Sequence, residues 1–183
     1  MNAFVKHMSQ VEEGMTLLNQ IELAQIVRRL ELLRAQGGTV YLFGNGGSAS
    51  TACHFVNDLT KMARVRAVCI PEMMPTVYAH GNDTGWENMF LGPLTGLMTA
   101  NDGAMGISCS GKSENVITAL EWAAGQSDIV MGMTGMADGS PINAVPNIAL
   151  VHARVPDIRV QEDLHLIACH AIVREIQERG YAL

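Results

Sequence analysis

His54 and Asp58 stand four residues apart in the stretch GNGGSASTACHFVND (44–58), so on a helix they present an imidazole and a carboxylate from one face. That pair suits proton transfer or divalent-metal ligation. Its commonest use is a surface hydrogen bond, but the neighbours Cys53 and Phe55 imply partial burial here. The stretch begins with Gly44, Gly46 and Gly47, which let backbone N–H groups approach a ligand, and Ser48 is the expected N-cap of the following helix. Its first six letters also fit G-x-G-x-x-A, a dinucleotide-binding pattern. That use needs an acidic residue about 20 positions on, whereas Glu72 comes late and follows Pro71. A nucleotide-dependent oxidoreductase is therefore the weaker reading.

Two further clusters carry chemistry. In SCSGKSEN (108–115), Ser108, Ser110 and Ser113 surround Gly111 just before a helical pattern. Hydroxyls, free amides and a helix dipole converging on one point make a phosphate cradle. A capped turn needs one serine, so three favour an anion site; Lys112 adds charge or faces solvent. In VQEDLHLIACH (160–170), Glu162, Asp163, His165 and His170 crowd the opening turns of an otherwise apolar helix, a donor set suited to zinc or another borderline ion. At about 100° per residue, Asp163 falls nearly under His170, while Glu162 is about 80° away and closer to His165. The wheel leaves that pairing open.

These clusters need a scaffold. The 183 residues are 48% hydrophobic and 16% charged, which is globular composition with room for a sizeable core. A net charge of −6 without a basic run argues against a nucleic-acid surface but leaves room for a locally positive anion site. Cys53, Cys69, Cys109 and Cys169 show no C-x-x-C spacing, so reduced thiols in a cytoplasmic protein are expected. The opening MNAFVKHMSQ has no apolar core of a secretory signal, and no apolar run approaches the ~18 residues of a membrane span.

Leu23, Ile26, Val27, Leu30 and Leu33 recur at helical spacing, with Glu22, Arg28, Arg29 and Arg34 on the other face and Gly37-Gly38 as the stop. This helix packs on its own sheet or builds an oligomer seam. Strand-length apolar runs follow at 39–43, 66–70, 103–107, 128–133 and 146–151, alternating with helical patterns near 48–61, 85–98, 112–125 and 158–179. The alternation predicts an α/β fold with a parallel sheet, whose ligands bind beyond the strands' carboxyl ends. His7, His80 and His152 are expected as surface or loop histidines.

Taken together, GNGGSASTACHF, GND (81–83), SCSGKS and QEDLHLIACH stand in an order and spacing that resemble the sugar isomerase (SIS) domain, and within it the phosphoheptose isomerases. The resemblance covers roughly residues 10–180. It implies one SIS domain over 1–183, with an N-terminal helical segment (1–37) before an α/β core (38–183). The implied core is a flavodoxin-like, doubly wound, five-stranded parallel sheet, in a homotetramer with sites at subunit interfaces.

The implied activity is the aldose–ketose isomerisation of sedoheptulose 7-phosphate through an enediol, for nucleotide-activated heptose biosynthesis. Asn45, Gly46, Gly47 and Ser48 fall on substrate-binding positions, as do Asn82, Asp83, Ser108, Cys109, Ser110 and Ser113. His54, Asp58, Glu162 and His170 fall on four zinc-ligand positions; Asp58 and Glu162 also contact substrate, and Asp58 and His170 are the implied catalytic pair. The match of His165 and His170 to the family's own histidine pair selects Glu162 over Asp163. Three departures stand out: Asp58 replaces Glu, Glu162 replaces Gln, and Cys109 replaces a threonine hydroxyl. Two carboxylates repel without a cation, so these changes imply a more metal-dependent site. The alternative is a non-catalytic SIS protein that binds a phosphosugar or a protein such as the replication initiator; relatives of that kind lack the full His/carboxylate set, whereas this chain keeps metal-competent residues at all four positions.

Overall fold

In the computed structural model, residues 2–135 and 139–181 are described; the outermost positions of the expected 1–183 domain lie outside them. Five strands form one all-parallel sheet in the order β2-β1-β3-β4-β5: β1 (Thr39–Gly44), β2 (Arg66–Cys69), β3 (Gly103–Ser108), β4 (Val130–Thr134) and β5 (Ala149–His152). This is the flavodoxin-like order, with its switch point between β1 and β3. Every residue of β3 and β4 is buried because helices cover both faces, which explains their unbroken apolar runs.

On one face, α2 (Gln20–Ala35), α3 (Gly46–Met62) and α7 (Ile158–Ile176) bury Leu30, Phe55 and Ile172 against Leu42, Met105 and Met131. On the other, α4 (Met74–Thr84), α5 (Leu91–Leu97) and α6 (Glu114–Ala124) bury Val77, Leu94 and Leu120 against Phe43, Ala104 and Val130. The N-terminal extension is two helices: α1 (Ala3–Leu17) precedes α2, whose start is fixed by the Asn19 side chain accepting from the Ile21 N–H. Among the described residues, no helix is long and apolar enough to cross a membrane.

Three expectations are corrected. The helix near 85–98 is in fact α4, a short 3-10 turn at Trp86–Asn88 and α5; Pro75 sits in the first turn of α4, so the helix starts well before residue 85. Glu22 and Arg29 do not simply take the solvent face of α2. Arg29 donates to the carbonyls of Asp128 and Val130 at 2.8 and 2.7 Å. Glu22 accepts from the His152 backbone N–H at 2.9 Å and from Arg154 at 3.0 Å. His152 is accordingly no surface histidine: it is 6% exposed, 3.0 Å from both Glu22 and Asn143. His7 agrees with the surface reading, pairing with exposed Asp163 at 2.8 Å.

Candidate active site

The chemistry-bearing loops leave the carboxyl ends of β1 and β3, neighbours in the sheet. At β1, Asn45 rather than Ser48 is the N-cap of α3, and its side chain makes no capping bond. The Asn45 amide is instead engaged with Asn115 of α6, each donating to the other at 2.9 and 3.0 Å. The first intrahelical bond runs from Ala49 N–H to Asn45 O, so the N–H groups of Gly46, Gly47 and Ser48 have no partner within the helix. Gly46 has φ +52°, a left-handed conformation that turns the strand into the helix at no steric cost.

At β3, Ser108 donates to Ser113 Oγ at 3.0 Å, Ser110 Oγ lies 3.4 Å from Ser108 Oγ, and the Lys112 N–H donates to Ser110. Ser113 is the N-cap of α6 yet makes no capping bond, so its hydroxyl faces its fellow serines. Together with Asn45, Ser48, Cys109 and Glu162, these serines line a cavity of about 160 Å³. Glu162 of α7 hangs directly over Gly47, where a Cβ would collide with its carboxylate. Asn82 and Asp83 are not brought to this cavity. They are exposed near the end of α4, bonded to each other at 2.8 Å.

A second constellation lies further along α3. His54 Nε2 is 3.2 Å from Asp58 Oδ2, and His170 Nε2 of α7 is 3.0 Å from His54 Nε2 and 3.7 Å from Asp58 Oδ2. Asp58 is 7% exposed, and Asn57 donates to its other oxygen, leaving Oδ2 for the histidines. Three ligand atoms at 3.0–3.7 Å spacing fit one small divalent ion with bonds of about 2.0–2.1 Å. Glu162 stands outside this cluster of three, over Gly47. The pairing that the wheel left open resolves by packing: Asp163 turns away to His7 of α1, and Glu162 turns to the glycine loop.

One contributor, Asn115, was missed by sequence reasoning, and His165, grouped there with the metal-competent donors, takes a different place. Asn115 is fully buried and carried no signal beyond lying in the serine motif. His165 is 1% exposed beneath the serine loop, its Nδ1 3.9 Å from Cys109 Sγ and its buried Nε2 without a partner among the described residues. Burial pushes its imidazole down to about 4, against a smaller upward pull from the Thr134 backbone. The unfolded chain therefore takes up a proton near pH 6.5 that the folded chain refuses until about pH 4. This stability is complete above pH 6.5 and lost on acidification, by at most about 1.4 kcal/mol per pH unit. Denaturant melts between pH 7 and 4.5 should show that slope for the native chain and a flatter one for His165→Gln.

A serine-and-amide cradle suited to an anion, with a His/Asp cluster further along α3, at the switch point of a five-stranded parallel sheet, is a candidate small-molecule site on an α/β domain. A family model for the SIS domain matches residues 3–135, and the chain belongs to the SIS domain family. Among its relatives, the phosphoheptose isomerase of Trichlorobacter lovleyi is 31% identical over 182 residues, covering 93% of this chain and 91% of that protein. That of Helicobacter pylori is 32% identical over 186 residues, covering 98% and 94%. The structure of the phosphoheptose isomerase from Neisseria gonorrhoeae matches with a TM-score of 0.84 at 26% identity, covering 96% of this chain and 95% of that one. That from Francisella tularensis matches at 0.86 and 24% identity, covering 97% and 100%, and at that identity speaks for the fold alone.

Proposed function

We propose that this chain is an aldose–ketose isomerase that converts sedoheptulose 7-phosphate into a D-glycero-heptose 7-phosphate through an enediol. The relatives' activity supports the reaction class, and one observation carries the assignment to this site. The anion cradle and the His/Asp cluster share α3, and the rise from Ser48 to His54 is about 9 Å. A phosphorylated seven-carbon chain can span that interval, with its phosphate on the serines and its C1–C2 end at the cluster.

Asp58 takes the proton from C1, its Oδ2 aimed by the Asn57 bond to Oδ1. His170 protonates the C2 oxygen, giving the enediol; proton return at C2 and loss from the C1 hydroxyl complete the aldose. Ser108, Ser110 and Ser113, with the free amides at the start of α3, hold the phosphate and so fix the reacting carbons. A zinc ion held by His54, Asp58 and His170 would supply Lewis-acid polarisation of the carbonyl. The His/Asp cluster favours this enzyme over a non-catalytic binding protein.

The test is an NMR time course with sedoheptulose 7-phosphate, with zinc and with chelator. Aldose phosphate formed only with metal is expected; no turnover under either condition overturns the assignment. Glu162 adds a carboxylate to an anion cradle, so Glu162→Gln should lower KM for the phosphosugar by about tenfold. An unchanged KM with weakened zinc binding would assign Glu162 to the cation instead.

The assembly we infer is a cytoplasmic homotetramer with shared sites. Phe4 and Met8 of α1 and Ile21 of α2 are 81%, 70% and 71% exposed, a face that a second subunit would cover. Exposed Asn82 and Asp83 would then serve a neighbour's cavity. Light scattering on the purified chain tests the stoichiometry.

A further inference from the structure

A second group of metal-competent side chains lies apart from the His/Asp cluster. β2 ends at Cys69, and the chain enters a 3-10 turn, Ile70–Glu72, closed by the Met73 N–H donating to Ile70 O at 2.9 Å. The turn keeps Glu72 beside Cys69, its carboxylate within 4.8 Å of the Cys69 sulfur. Cys53 of α3 faces the same turn, its Sγ 2.6 Å from Cys69 Sγ. One ligand atom from each of Cys53, Cys69 and Glu72 lies within 4.8 Å of the other two.

We propose that Cys53, Cys69 and Glu72 form a separate site for a thiophilic divalent cation such as zinc. Two sulfurs and a carboxylate on one centre are a zinc donor set, and the C-x-x-E spacing places two of the three on one turn. With Zn–S bonds of about 2.3 Å the sulfurs stand about 3.8 Å apart. A small rotation of half-buried Cys53 provides that separation, while buried Cys69 stays fixed. Binding replaces the two thiol protons, which are released to solvent. The exposed Glu72 side leaves a fourth position open to water. The ion would clamp α3 to the end of β2 one residue before His54, and it requires nothing of the isomerase reading.

The test is a cobalt(II) titration of the full chain, reduced beforehand and with its thiols counted. Thiolate ligation gives near-ultraviolet sulfur-to-cobalt charge-transfer bands that a His/carboxylate site cannot give. The bands should appear in the native chain, saturate at one equivalent in His170→Ala, where the His/Asp cluster no longer competes for cobalt, and vanish in Cys53→Ser. Glu72→Gln, a surface change that leaves the fold alone, should keep them but weaken binding by on the order of tenfold or more. Absent bands in reduced native protein, or bands surviving Cys53→Ser, would overturn the proposal. So would reduced protein that forms a Cys53–Cys69 disulfide in air despite stoichiometric zinc.

Discussion

Replacing His170 with alanine should cut turnover by about 10³-fold while the domain melts within a few degrees of the native chain. The size follows from removing a positioned proton-transfer group. The mild effect on folding follows from exposure: the His170 side chain is 53% exposed, and its ring meets His54 edge-on at 5.0 Å without entering the core. Asp58→Asn should cost a similar factor through loss of the base, but with a larger stability change, because Asp58 is buried. Steady-state kinetics on sedoheptulose 7-phosphate beside thermal melts separate the two. A normal kcat in His170→Ala would remove His170 from the proton-transfer role.

Gly44→Ala should damage both fold and site. Gly44 is the last residue of β1, paired with Ile107 of β3. An added Cβ would stand 2.8 Å from the Ile107 carbonyl oxygen, 2.9 Å from Ser48 Cβ and 3.1 Å from the Ser48 carbonyl carbon. None of these is a flexible side-chain end, so β1 and β3 must part or the start of α3 must shift. Overpacking of this kind costs about 1–3 kcal/mol. The shift separates the α3 amides from the serine loop, and a displacement of about 1 Å can lower activity by about 10²-fold. Denaturant melts and kcat/KM measured together check both. A variant with native stability and native kcat/KM would show that the loop is more pliant than its contacts imply.

Sequence alone determined the α/β alternation, the parallel sheet and the three stretches that supply the site. It could do so because each rests on local rules: unbroken apolar runs for strands buried on both faces, helical periodicity beside them, and glycines and serines at strand ends. Helical spacing already placed His54 and Asp58 on one face. Everything that depended on a partner far along the chain was decided only by the tertiary structure. The wheel could not choose between Glu162 and Asp163, since each side chain's direction has meaning only once α1 and the glycine loop are in place. His152 read as a loop residue because its partner Glu22 lies 130 positions away. Cys53 and Cys69, isolated in sequence, meet because α3 packs against the strand that follows it. Local spacing sets what an element can present, whereas the sheet order sets what it meets.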